Sequence, residues 1–188
     1  QSQFKEIRIS DSFRIVPPWE TKSYFDGQSI IIQPGSGFGT GTHPTTQLCL
    51  QWLENNLKGN ESVLDFGCGS GILSIGAKLL GAGYVEGVEN DQLAINNANR
   101  NNELNHTSIP FHHSDKFDAN QKYDVVIANI LSSILIRLAT KIGPLIGYKL
   151  VLSGILENQA ENVIQAYSEW VNLSTQDELD GWALMAGQ

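Results

Sequence analysis

The stretch Val63-Leu64-Asp65-Phe66-Gly67-Cys68-Gly69-Ser70-Gly71 runs from a short apolar segment ending in an acid straight into three alternating glycines. That order reads as strand, tight turn, helix. Glycine at 67, 69 and 71 removes three β-carbons from the turn, so the backbone can take positive φ and a ligand can lie against bare amides at the next helix N-terminus.

Downstream, strand and helix patterns alternate. Residues 62–65, 84–89, 109–112, 123–129 and 149–155 read as strands, and 71–80, 92–104, 132–142 and 159–170 as helices. Two further strands, 171–177 and 182–186, lie close together at the end. Alternating β and α with Val/Ile/Leu-rich strands predicts an α/β fold: a doubly wound, mostly parallel, seven-stranded Rossmann-like sheet, closed by a C-terminal antiparallel strand. In such sheets the ligand crevice lies at the carboxyl ends of the strands. Those ends are Asp65 with its glycine loop, Glu89, Asp115 after the third strand, and Asn129.

Upstream, residues 34–46 hold four glycines and four threonines in thirteen positions, which makes them a loop. Pro44 then suits the first turn of a helix whose apolar stripe is Leu48, Trp52, Leu53 and Leu57. Residues 1–33 form a lead-in segment with short strands at 13–16 and 29–33, and residues 34–188 the main domain. Trp19, Tyr24 and Phe25 are expected to cover one edge of the main core.

The chain has 188 residues, 41% of them hydrophobic, which suits one ordinary domain able to fold unaided. Its 12 Lys and Arg against 20 Asp and Glu give a net charge of −8, which argues against a surface that grips phosphate backbones and suits a basic protein partner. Cys49 and Cys68, far apart and not in a metal-type pair, point to a reducing, cytoplasmic compartment. No apolar run reaches transmembrane length, and the N-terminus lacks a signal-peptide layout. The adjacent His112 and His113 point to opposite faces of a strand, which is poor geometry for a metal, and no metal site is expected. His43 in the Gly/Thr loop is placed to act as a proton acceptor, although an isolated loop histidine is more often structural or solvated.

The glycine spacing narrows the ligand. A dinucleotide fingerprint, G-x-G-x-x-G, needs its third glycine at position 72, which is Ile72 here. The G-x-G-x-G pattern fits the nucleoside-methionine pocket of S-adenosylmethionine (SAM) enzymes, whose cofactor has no pyrophosphate to bind. Glu89 ends the second strand 22 positions past Gly67, the distance at which an acid can accept hydrogen bonds from ribose hydroxyls. Asn129 ends the fourth strand with a neutral carboxamide, a donor and an acceptor, facing the reactive end of a ligand over the glycine loop. Ser132 or Ser133 can cap the next helix, so Asn129 is not needed there.

Together, Gly37-Phe38-Gly39-Thr40-Gly41-Thr42-His43-Pro44-Thr45-Thr46-Gln47-Leu48-Cys49-Leu50, residues 63–73, Ala128-Asn129-Ile130-Leu131 and Leu152-Ser153-Gly154-Ile155-Leu156 closely resemble the ribosomal protein L11 methyltransferases, the PrmA family. The resemblance runs from about Phe13 through the Asp180-Gly181-Trp182 tail. It implies a class I SAM-dependent methyltransferase that yields S-adenosylhomocysteine (SAH) and modifies lysine and N-terminal amines of a basic large-subunit ribosomal protein. It further implies SAM contacts at Thr46, Gly67, Glu89 and Asn129, and a pocket lined by Phe38, Gly39 and Thr40 beside Asp65, Gly69 and Gly71. Asn129 and the backbone carbonyl of Ile130 would face the incoming amine. Position 89 is Glu where the family usually has Asp, which lengthens the reach and keeps the chemistry. The family's N-terminal recognition domain has no counterpart before Phe13, so the resemblance implies either an excised catalytic domain or a homologue with another substrate. The alternatives are a methyltransferase acting on another protein, a small molecule or a nucleic-acid amine, or a non-catalytic SAM-binding module.

Overall fold

The computed structural model describes residues 4–35 and 39–188. Its main sheet has seven strands: β4 (Ser62–Phe66), β5 (Tyr84–Glu89), β6 (Phe111–His113), β7 (Tyr123–Asn129), β8 (Ile146–Leu156), β9 (Leu173–Leu179) and β10 (Trp182–Gly187), in the order β6-β5-β4-β7-β8-β10-β9. The pairs from β6 through β8 are parallel, and β10 is antiparallel to both neighbours. The predicted doubly wound sheet with its antiparallel closing strand is present. The order runs outward in both directions from the neighbours β4 and β7, so the topological switch point and its crevice lie at their carboxyl ends.

Both faces of the sheet are buried, and period-2 alternation deals its residues to two cores. Val63, Val125, Ile127 and Leu184 face helices α1 (Pro44–Asn56) and α2 (Ile72–Leu79). Leu64, Val126, Ala128 and Met185 face α4 (Ser132–Arg137), α5 (Ala139–Ile142) and α6 (Ala160–Tyr167). This is the continuous apolar patterning that a parallel sheet covered on both faces requires. Each Val or Leu taken fully out of water contributes about 1.5–3 kcal/mol before entropy is counted.

A second sheet joins β1 (Ile7–Ser10), antiparallel to β2 (Phe13–Val16), with β3 (Gln28–Ile31), parallel to β2. Phe13, Ile15, Ile30 and Ile32 are fully buried in the core shared with α1 and α2. The exposed edge of β3 is not left bare. Asn101 and Asn105 on α3 (Gln92–Leu104) and its C-cap accept from Gln33 N–H at 2.9 Å and Ile31 N–H at 2.8 Å, and Asn105 donates back to the Ile31 carbonyl at 2.7 Å. Two side-chain amides thus stand in for a neighbouring strand.

Some expectations need correction. Trp19 and Tyr24 do not cover the core: they are 51% and 90% exposed, and Phe25 instead lies under the guanidinium groups of Arg8 and Arg14. The third sheet strand starts at Phe111 rather than 109, because Pro110 has no N–H to give the ladder. The helix predicted over 132–142 breaks at Leu138, whose ψ of 3° leaves the helical basin. No helix among the described residues is long and apolar enough to cross a membrane.

Candidate active site

The loop after β4 is built as its glycines suggest. Gly67, Gly69 and Gly71 have φ of 79°, 52° and 80°, all in the left-handed region that costs side-chain-bearing residues energy. The first turn is pinned by the Val88 carbonyl, which accepts from Gly67 N–H at 2.8 Å and Cys68 N–H at 3.0 Å. Glu89, at the end of β5, accepts from Gly69 N–H at 2.9 Å through Oε2, and from Asn90 N–H at 2.8 Å through Oε1. The acid therefore organises the loop while its carboxylate still faces the crevice.

Asp65 is 1% exposed. Its Oδ2 accepts from Ser74 in the first turn of α2, from the hydroxyl at 2.7 Å and the N–H at 3.1 Å. Burial pushes its pKa up to about 7 against the pull of those two bonds, and the negative charge of Glu89 adds to the rise. Burial likewise raises the Cys68 thiol, with Asp65 and Glu89 adding to it, so Cys68 stays protonated and inert.

At the end of β7, Asn129 Nδ2 donates to the Thr46 hydroxyl at 3.4 Å. Thr46 is itself buried at the start of α1. Thr46 and Asn129 both line the same cavity, and the bond between them fixes the orientation of the carboxamide. Next to it, Ile130 is gripped between two glycines. A Cβ on Gly67 would stand 2.6 Å from Ile130 Cγ2, and one on Gly154, at φ +85° in β8, would fall on the Ile130 carbonyl.

These groups converge on one cavity of about 380 Å³. Of the residues named from sequence, Gly39, Thr46, Asp65, Gly67, Gly69, Glu89, Asn129 and Ile130 line it. Thr40 and Gly71 do not: the Thr40 hydroxyl is bonded to that of Thr42 at 3.1 Å, and Gly71 backs onto Phe111 and Ala98. Phe38 lies outside the described residues. Asp115, with its side chain 86% exposed, stands beside His113 away from the cavity. A second hollow of about 600 Å³ shares Gly67, Glu89, Ile130 and Ile134 with the first and extends toward Asn90, Ser114 and Phe117.

Sequence reasoning missed Gly154 as a site residue, although a lone glycine inside a Val/Leu/Ile strand is a recognised sign of close backbone approach. It also missed Trp182 and left His43 as structural, yet both line the cavity. Ser70 was silent as well: its hydroxyl donates to the Gly39 carbonyl at 2.5 Å and latches the Gly/Thr loop onto the glycine loop. Among the described residues, no group of three His, Cys, Asp or Glu side chains is placed to hold a metal.

The sequence profile described as "Ribosomal protein L11 methyltransferase (PrmA)" matches residues 1–188. The chain belongs to the ribosomal protein L11 methyltransferase family. Members of that family named ribosomal protein L11 methyltransferase include one from Methylobacillus flagellatus, 45% identical over 189 residues, and one from Dechloromonas aromatica, 46% identical. Each alignment covers 100% of this chain and 64% of the relative, so the chain spans about two thirds of the length of these family members. The crystal structure of a ribosomal protein L11 methylase from Lactobacillus delbrueckii subsp. bulgaricus superposes with a TM-score of 0.88 at 29% identity, covering 100% of this chain and 98% of that one. Beyond the family, the fold recurs in a Thermus thermophilus 16S rRNA N2 G1207 methyltransferase solved with AdoMet and guanosine. That likeness has a TM-score of 0.67 at 20% identity and covers 81% of this chain and 45% of the other.

Proposed function

We propose that this chain is the catalytic unit of a SAM-dependent protein N-methyltransferase acting on lysine and N-terminal amines of a basic large-subunit ribosomal protein of the L11 kind. In this reading residues 1–33 are a lead-in segment, 34–188 are the methyltransferase domain, and the enzyme works in the cytoplasm. The reading rests on one observation: in a chain of this family, the glycine loop, Glu89 and an Asn129 oriented by Thr46 meet on a single cavity.

The residues present fit SAM. Glu89 offers a carboxylate at the strand end next to the loop, where ribose hydroxyls can donate to it. The hollow running from Glu89 to Ser114 and Phe117 suits the adenine. Asp65 lies where the cavity meets the first turn of α2 and suits the methionine amine. When bound, SAM supplies a methyl group already activated by its sulfonium.

The protein must then supply an amine with a lone pair, in line. A lysine at its ordinary pKa of about 10.4 is almost wholly protonated at neutral pH. Ile130 and Leu131 form an apolar wall that disfavours the charged form and lowers that pKa. The Asn129 carboxamide oxygen and the Ile130 carbonyl accept the neutral amine's N–H hydrogens and aim its lone pair. A carboxylate at position 129 would favour ammonium instead, which is why a neutral amide serves better. Orientation of this kind can lower a barrier by about 7–11 kcal/mol. The surplus of acidic over basic side chains supports a basic protein as partner.

Two measurements test the reading. In calorimetric titrations SAH should bind and NAD should not, and Glu89→Ala should weaken SAH about tenfold or more through loss of charge-assisted hydrogen bonds. Labelled SAM incubated with the chain and purified L11 should label the protein. Label that appears instead on RNA or another protein in a cell extract would reject the acceptor, and binding of NAD in preference to SAH would reject the cofactor.

A further inference from the structure

The end of the cavity beyond Asn129 contains an aromatic wall. Across the sheet the site residues fall in the order Glu89 on β5, Gly67 after β4, Asn129 on β7, Gly154 on β8 and Trp182 on β10. With about 4.8 Å between strands, Trp182 begins two steps, roughly 10 Å, past Asn129 on the side away from Glu89. The register also lifts it. Asn129 pairs with Ser153, whereas Trp182 pairs with Leu156, three residues further along β8, so the indole rises above the carboxyl edge of the sheet.

His43 holds it there. The two rings meet edge to face, with centroids 4.9 Å apart and planes at 68°. His43 is the N-cap of α1, and its Nδ1 accepts from Thr45 N–H at 3.3 Å and lies 2.7 Å from the Thr45 hydroxyl. An Nδ1 that accepts a backbone N–H leaves the proton of the neutral ring on Nε2, so this histidine is built to position and not to take a proton. Trp182 is the one tryptophan, tyrosine or phenylalanine among the described residues lining the cavity, and the carboxylates that line it, Asp65 and Glu89, sit on β4 and β5.

We infer that Trp182, positioned by His43, is the wall of the acceptor-amine chamber and sets how many methyl groups the enzyme adds. The inference rests on the amine-methylation reading above. Each transfer forms an N–CH₃ bond and breaks the methyl–sulfonium bond; after the first and the second the amine loses a proton to solvent and keeps one N–H fewer, and the third leaves a trimethylammonium with no proton to lose. A primary amine offers two N–H hydrogens to the Asn129 carboxamide oxygen and the Ile130 carbonyl, a monomethylamine offers one, and a dimethylamine none. The hydrogen-bonded anchor therefore fades as methylation proceeds. An indole holds N-methyl groups and a methylated ammonium through its π face, which strengthens as N–H groups are replaced. First transfers thus depend on Asn129 and later ones on Trp182.

Intact-mass time courses of purified L11 with SAM and the full chain test this. Trp182→Leu, which keeps apolar bulk and removes the ring, should lower the ratio of third- to first-transfer rates about fivefold or more. Trp182→Phe should restore most of that ratio, and Asn129→Ala should shift it the opposite way by slowing the first transfer most. Trp182→Leu slowing every transfer by the same factor, or Trp182→Phe behaving like Trp182→Leu, would overturn the inference. If the unaltered chain puts no methyl on L11, the functional reading fails. The chamber is then judged by NMR of the SAH-bound chain, with the Trp182 indole N–H identified by its loss in Trp182→Phe. Trimethyllysine should shift that resonance more than lysine does, and equal or absent shifts would overturn the proposal.

Discussion

At the residue scale, the site separates its charged groups from its neutral ones. Asp65 and Glu89 line the cavity from β4 and β5 on the glycine-loop side, while Asn129 and Ile130 line it from the β7 side. Asn129→Ala should cut kcat about a hundredfold, because a misplaced nucleophile forfeits orientation, while KM for SAM changes far less. Steady-state kinetics with SAM varied at fixed acceptor check this. Asp65 carries a pH signature. Its folded pKa of about 7 lies above the ordinary 3.8, so between those values the folded chain holds a proton that the unfolded chain has released. Stability from this group therefore falls as pH rises through that window. Asp65→Asn removes the titration, so its Tm relative to the unaltered chain should climb from pH 4 to pH 7, as thermal unfolding at several pH values would show. Both residues were legible in the sequence as strand ends. The Thr46 hydroxyl that orients Asn129 was not, because the two are 83 positions apart in the chain.

At the element scale, the glycine loop and the carboxyl end of β8 act as jaws on Ile130. Gly154 is the less obvious jaw, since a strand interior gives no turn pattern to flag it. Gly154→Ala must accept φ +85° and push against the Ile130 carbonyl. It should cost about 1 kcal/mol or more in denaturant unfolding and lower kcat with little change in SAH affinity by calorimetry. Strands β5 and β7 were placed to the residue, whereas β8 begins three residues before the expected 149 and ends one residue past the expected 155. Boundaries slipped where one residue decided them, at Pro110 and Leu138. Strand β1 went unseen in four residues with one isoleucine buried, too weak a signal by itself.

At the scale of the whole molecule, sheet order brings residues from β5, β4, β7, β8 and β10 to one edge, and α1 lays Thr46 and His43 over it. The net charge of −8 should act at long range on a basic acceptor. Raising salt from about 50 to 300 mM shortens the Debye length from roughly 14 to 6 Å and should lower kcat/KM for L11 several-fold while leaving kcat nearly unchanged. Initial rates at several ionic strengths decide this, and a salt-independent kcat/KM would place recognition elsewhere than in the field of this chain.

The sequence by itself determined the α/β alternation, the positive-φ glycine loop, the acid 22 positions on and the amide at the fourth strand end, because each is written in local periodicity or in a residue type with one conformational use. Only the tertiary structure decided that Ile130 is clamped by two glycines, that Asn129 is turned by Thr46, and that Trp182 closes the far wall against His43. Those facts are distances between segments far apart in the chain. They follow from strand order and register, which packing of the whole sheet sets and no short stretch of sequence encodes.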